Sequence, residues 1–118
     1  MHAKDVLGKS GEQAAAEYLE SCGLRIVDRN WSCATGEIGI VAVDRQTLVV
    51  VEVKSRTGMR YGNPLEAVSR AKRARLRRLA VQWPNAHGVR FDQVRVDVVG
   101  LVPDGTGGFT VEHIPGVG

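Results

Sequence analysis

The chain has 118 residues, with sixteen Lys and Arg against thirteen Asp and Glu and 43% hydrophobic residues. That length excludes two independent cores, because each half would fall below the size that folds without staples, and that composition excludes a disordered chain. Two cysteines, Cys22 and Cys33, with no C-x-x-C spacing and no histidine nearby, exclude a secreted disulfide scaffold and a zinc site, and no apolar run approaches membrane-spanning length.

The reading is one cytoplasmic domain over 1–118, with a core over about 8–101 and a last strand over about 109–114 that forms a C-terminal hairpin. The net charge of +3 by itself barely favours an anionic partner, but its distribution is uneven. Twelve of the sixteen cations are Arg, and six cations fall between Arg70 and Arg78.

In chain order, Gly8 to Cys22 sets Ala15, Leu19 and Cys22 along one face and Gln13, Glu17 and Glu20 on the other, which predicts an amphipathic helix. Ser10 and Gln13 have capping-box spacing, Asp5 offers an earlier start, and Gly23 closes the helix. Leu24 to Trp31 predicts an edge strand. Gly36 to Val43 and Leu48 to Arg56 predict a hairpin across the polar link from Asp44 to Thr47. Pro64 predicts the start of a second helix running to Trp83, stopped by Pro84, with an inward stripe of Leu65, Val68, Lys72, Leu76, Leu79 and Trp83. Val89 to Leu101 and Phe109 to Ile114, separated by a Pro-Asp-Gly-Thr-Gly-Gly turn, predict two more strands. The order gives a mixed α/β class.

Period-two alternation puts Glu52, Lys54 and Arg56 on one face of the third strand and Val49, Val51 and Val53 on the other. An even turn between Arg45 and Gln46 would set Glu52 opposite Gly39 and Lys54 opposite Glu37. Carboxylates that hold a divalent metal, with a cation near the attacking water, are what phosphodiester hydrolysis needs. A solvated sheet face with a Glu37–Lys54 ion pair is the plain alternative. Lys72 sits within an apolar stripe, where a lysine either snorkels or meets an anion. Glu12 lies in line with Ala15 and Leu19, as a site acid or as an acid favoured by the positive helix end.

Gly11-Glu12 before an alanine-rich helix, Asn30, Gly36-Glu37-Ile38, Val51-Glu52-Val53-Lys54-Ser55-Arg56, Gly62, Pro64, Lys72 and Arg90-Phe91-Asp92 together resemble the YraN-like family of uncharacterised bacterial proteins, from about Gly11 to Val98. The resemblance implies a restriction-endonuclease-like fold of the PD-(D/E)xK type, with an αβββαβ core, a mixed sheet flanked by helices, and kinship with Holliday-junction resolvases. It also implies that Glu52 is a metal ligand for magnesium or manganese, that Lys54 orients water, that Glu12 is an accessory acid and that Lys72 faces the phosphate. The family pattern is Gly-Glu-Ile-Asp, whereas this chain reads Gly36-Glu37-Ile38-Gly39, so one of two direct carboxylates is missing. Glu37 is the candidate substitute, as the alternative to an impaired site, and would make Glu37 and Glu52 the metal pair. Otherwise Glu52 stands alone among Lys54, Arg56 and Lys72, and the pocket is expected to be net positive, with hydrolysis weak or absent.

Arg70, Arg73 and Arg77 fall at i, i+3 and i+7 on the second helix, flanked by Arg75 and Arg78. Such a row repels itself unless an anionic backbone relieves it, and arginine suits phosphate. A solvated face balanced by acids elsewhere is the alternative. Three classes follow: a DNA-binding protein with an impaired nuclease site, an active metal-dependent endonuclease or junction resolvase, and a protein-interaction domain with a basic face. Duplex or branched DNA is the expected partner for the first two, and no membrane partner is expected. The oligomeric state is left open.

Overall fold

Valine-rich strands with apolar residues on both sides need cover on both sides, and the two helices supply it. The computed structural model describes residues 3–55 and 68–117, with side chains from Gly11 onward. Its elements are α1 (Ala3–Ser21), β1 (Arg25–Cys33), β2 (Gly36–Asp44), β3 (Thr47–Ser55), α2 (Arg70–His87), β4 (Gln93–Pro103) and β5 (Phe109–Val117). The strands form one sheet in the order β1-β2-β3-β4-β5, antiparallel except for the parallel pair β3 and β4, which α2 connects. This is the expected mixed α/β class, and the element order matches a restriction-endonuclease-like core.

Each helix buries one apolar layer. Ala15, Ala16 and Leu19 of α1 pack with Ile40, Ala42, Val49, Val51, Val99 and Leu101. Leu76, Leu79, Ala80 and Trp83 of α2 pack with Ile38, Val41, Leu48, Val50, Val96 and Val98 on the opposite face. Burial of a side chain such as Leu76 or Leu79 contributes roughly 1.5–3 kcal/mol.

Several boundaries differ from the sequence reading. The helix α1 starts at Ala3, so Ser10 lies inside it and does not cap it. Gly11 is mid-helix where α1 passes close to β3: a β-carbon there would lie 2.5 Å from Ser55 Oγ, so that hydroxyl would have to turn aside. Gly23, at φ +92°, follows the helix end as expected.

Pro64, Leu65 and Gly62 lie outside the described residues. The described helix α2 starts at Arg70, where the Ser69 hydroxyl accepts from Lys72 N–H at 3.0 Å. Pro84 does not stop α2; it is buried within it, and the helix runs to His87 before Gly88, at φ +66°, turns the chain. The bond that proline forfeits is offset by the last turn's other partners. Val89 N–H donates to Pro84 O at 3.0 Å, His87 stacks on Trp83 at 4.1 Å, and Trp83 Nε1–H donates to Asp28 Oδ2 at 2.8 Å. Because Gly88 ends the helix there, β4 begins at Gln93 and not at Val89, and Asp92 N–H donates to Gln46 O at 3.1 Å to tie the connection to the hairpin turn. The last strand runs past Ile114 to Val117.

Candidate active site

The hairpin turn is the two residues Arg45 and Gln46, with Arg45 left-handed at φ +58° as a tight hairpin requires. Pairing runs from Asp44↔Thr47 to Ile40↔Val51, which is the expected register. There the ladder ends. Beyond it, Gly36 to Ile38 pair with Cys33 to Trp31 of β1, and Glu52 to Ser55 pair with Val98 to Leu101 of β4. The two central strands part into a fork, so Gly39 and Glu52 are neighbours across a gap and not partners in a ladder.

The fork also breaks the alternation of β2. Ile38 belongs to the α2-side core and Ile40 to the α1-side core, so the side-chain order slips by one at Gly39. The residue facing Gly39 on β1 is Asn30, between the pairs Arg29↔Ile40 and Trp31↔Ile38, and it is left-handed at φ +54°. A left-handed asparagine opposite a glycine lets both strands turn out of the regular sheet.

A cavity of about 330 Å³ occupies the fork, lined by Glu12, Asn30, Glu37, Gly39, Glu52, Val53, Ser55 and Lys72. The structure thus brings Glu12 from α1, Glu37 from β2, Glu52 from β3 and Lys72 from α2 to one space. Lys72 Nζ lies 3.4 Å from Glu52 Oε2, and Lys54 Nζ lies 4.0 Å from Glu52 Oε1. The anticipated Glu37–Lys54 pair is not among the ion pairs of the described residues, because the strands that would carry it have separated; Glu37 is exposed at the rim.

One expectation about charge needs correction. The pocket is not left with Glu52 as its one carboxylate: Glu12, Glu37 and Glu52 face Lys72, with Lys54 adjoining, so among the described residues acids outnumber bases. Arg56 lies outside the described residues. Of the two places offered for Glu12, the helix end is not the one observed, since α1 begins at Ala3; its Oε1 is buried with no hydrogen-bond partner beside the space that Gly39 leaves open. A β-carbon on Gly39 would lie 3.8 Å from that oxygen, an ordinary contact, and the backbone there is not left-handed.

The donor set fits a divalent ion in a limited way. An orphaned carboxylate oxygen beside an empty position suits a hard cation. Although three carboxylates line the cavity, no group of three His, Cys, Asp or Glu among the described residues is close enough to hold a metal, so an ion there would take two carboxylates at most and fill its shell with water or phosphate oxygens.

Around this cavity α2 presents Arg70, Arg75, Arg77 and Arg78 to solvent, whereas Arg73 is half-buried with its Nε enclosed and unpartnered. The expected outer row of Arg70, Arg73 and Arg77 is therefore uneven. Arg75 leans over the start of β2, where its Cδ would lie 3.2 Å from a β-carbon on Gly36. Asn30 and Ser55 line the cavity although residue chemistry alone gave them no role; an asparagine amid strand residues was the signal for the first.

A mixed sheet clasped by one helix on each face, its E-x-K strand parting from its neighbour in a fork, defines an α/β protein compatible with a restriction-endonuclease-like core. The chain belongs to uncharacterised protein family UPF0102, whose profile matches residues 11–101. It is 57% identical over 118 residues to a UPF0102 protein of Arthrobacter sp. strain FB24, covering 100% of both chains. It is 52% identical over 117 residues to one of Paenarthrobacter aurescens strain TC1, covering 99% of this chain and 97% of the relative. Among solved structures, SfsA of Pyrococcus furiosus in complex with Ca2+ superposes with a TM-score of 0.44 at 15% identity, covering 98% of this chain and 65% of SfsA. No helix among the described residues is long and apolar enough to cross a membrane.

Proposed function

We propose that this protein binds DNA, duplex or branched, on a PD-(D/E)xK-like scaffold whose hydrolytic site is impaired at Gly39. The observation that carries the reading is that one helix, α2, contributes both Lys72 to the fork cavity and a run of exposed arginines beside it. A phosphate backbone laid along α2 would meet the arginines first and reach Lys72 at the cavity mouth. Glu52 would be the acid nearest the scissile phosphate, and Lys54 and Lys72 would orient water and phosphate. No aromatic residue interleaves the arginines, so contact to the backbone and not stacking on bases accounts for affinity.

The test is binding of a random-sequence duplex and a four-way junction in EDTA at several salt concentrations. If about three phosphates are neutralised, log affinity falls against log salt with a slope of about −3. Replacing Arg70 and Arg77 by Ala should weaken every sequence alike. A slope near zero would overturn the reading, and salt-sensitive binding to acidic protein but not to DNA would favour the interaction-domain class. Cleavage with magnesium or manganese should be weak in the wild type, stronger in Gly39→Asp and absent in Glu52→Ala.

The orphaned Glu12 oxygen favours a second reading, an active metal-dependent endonuclease with another carboxylate in place of the missing aspartate. Robust wild-type cleavage of plasmid or junction would establish it over the impaired site.

A further inference from the structure

We infer that the carboxyl end of α2 is a docking site for an acidic peptide segment, which seats one large apolar side chain in a cavity beside Val81 and Val89. The site is separate from the fork and goes beyond the DNA reading: Val81 lies nine residues, or about 14 Å of helix, from Lys72.

Among the described residues the exposed large apolar side chains are Val81, 50% exposed, and Val89, 41% exposed. Single exposed valines are ordinary, but both of these line one cavity of about 200 Å³, together with Pro84, Phe91 and Val94. The helix stop accounts for part of this. Gly88 N–H donates to Asn85 O at 3.4 Å and Val89 N–H to Pro84 O at 3.0 Å, a closure that sets an apolar residue beside the last turn. It does not account for Val81, which stands on the helix with half its surface in solvent, nor for the space between the two valines. An apolar cavity of about 150 Å³ holds a benzene ring, so this one has room for a leucine or phenylalanine side chain.

Charge selects the partner. Arg90 is the one charged residue of the lining, and the exposed Arg78 precedes Val81 by one helical turn. No Asp or Glu among the described residues lines the cavity; Asp92, two residues beyond Arg90, lines another one beside the hairpin turn. A second copy seated here by two-fold symmetry would set one positive rim against another. Nucleic acid would satisfy the arginines, but its polar backbone gains nothing from Val81 and Val89. A segment with carboxylates around one apolar anchor satisfies both, the arginines by charge and the cavity by burial.

The experiment is fluorescence anisotropy of a fluorescein-labelled peptide, six aspartates ending in phenylalanine, titrated with the full chain in the absence of DNA. Wild type should bind it. Serine in place of the phenylalanine should weaken binding at least about tenfold, the worth of burying one such side chain, and lysines in place of the aspartates should abolish it. Arg90→Ala should weaken binding severalfold and lessen its salt dependence. Val81→Ser and Val89→Ser should each weaken it severalfold and leave duplex binding in EDTA unchanged; both side chains are exposed, so circular dichroism should show the fold intact. Val81→Ser alone reads the apolar part if Val89→Ser disturbs the helix stop. No peptide binding at millimolar concentration would overturn the inference, as would equal binding of the phenylalanine and serine peptides. Loss of duplex binding in Val81→Ser would assign the cavity to nucleic acid, and a dimer in sedimentation that Val81→Ser dissolves would assign it to a second copy; either result overturns it. Peptide binding without DNA binding would overturn the DNA reading and leave this one standing.

Discussion

Two carboxylates on the α1 side of the sheet have opposite surroundings. Asp97 is fully enclosed and fully partnered: Arg95 donates from Nε at 2.8 Å and Nη2 at 3.2 Å, His113 Nε2 lies at 2.8 Å, and Gly116 N–H donates at 3.1 Å. The Glu12 oxygen is enclosed with none. The two regions meet α1 at Glu12 and at Tyr18, whose hydroxyl lies 3.3 Å from His113 Nδ1, only six residues or about 9 Å of helix apart. A carboxylate whose acceptor sites are all filled by the chain belongs to the scaffold. One left unfilled beside open space is available to something outside it.

The largest expected effect lies on the satisfied side. Asp97→Ala removes the partner of the Arg95, His113 and Gly116 contacts and leaves the Arg95 guanidinium and the Gly116 N–H facing a hole at the β4–β5 bulge. Breaking a buried pair costs about 3–5 kcal/mol, and the partial exposure of Arg95 places this case near the lower figure, to be read from urea unfolding. A loss under about 1 kcal/mol would mean that the network is not what holds β5 to β4.

On the unsatisfied side, Gly39→Asp should invert the usual result of adding a charge. Without metal, a second carboxylate near the Glu12 oxygen repels it, and the thermal midpoint should fall. With manganese at a hundred times the variant's dissociation constant, linkage returns about 2.7 kcal/mol, and the midpoint should rise by more than the wild type's does at the same concentration. Equal metal-dependent shifts in the two proteins would break the assignment of the open side to a ligand. A smaller effect is expected at Lys72→Met: loss of about one unit from the salt slope of DNA binding, with the fold intact.

These two regions were not equally legible in the sequence. The hairpin register could be counted from a two-residue turn, and Glu52, Lys54 and Lys72 followed from strand and helix periods, because those are local rules. The slip at Gly39 could not be counted, since a glycine gives no sign of which face it occupies and the partner that permits the slip, Asn30, lies on another strand. Without that slip the count places Glu37 on the face of Gly39, and it gives no sign that the Glu12 oxygen lies beside the glycine. The Asp97 network was invisible for a related reason: Arg95 and Asp97 read as the polar half of an alternating strand, and only the return of β5 brings His113 over them. Pro84 reads locally as a breaker, and the Trp83, His87 and Asp28 contacts that hold the last turn lie beyond any local rule.

The smallest expected effect is alkaline and sharpens the comparison from the satisfied side. Tyr18 ends the Asp97–His113 chain, and its phenol is pushed above its usual value of 10.0, first by the hydrogen bond with Cys22, then by burial, then by the charges of Cys22 and Asp97. The folded chain therefore holds that proton more tightly than the unfolded chain. The resulting stabilisation is fully present below about pH 10 and is lost as pH rises through the higher folded value. Tyr18→Phe removes the titrating group and should flatten that part of the stability curve, while costing about 1 kcal/mol or less at neutral pH for one hydroxyl contact. The difference in near-ultraviolet absorbance between wild type and Tyr18→Phe isolates this phenol from Tyr61. Ionisation of Tyr18 at or below its usual value would mean that the Cys22 hydrogen bond and burial do not hold its proton. The scaffold side would then be less closed than its hydrogen bonds indicate.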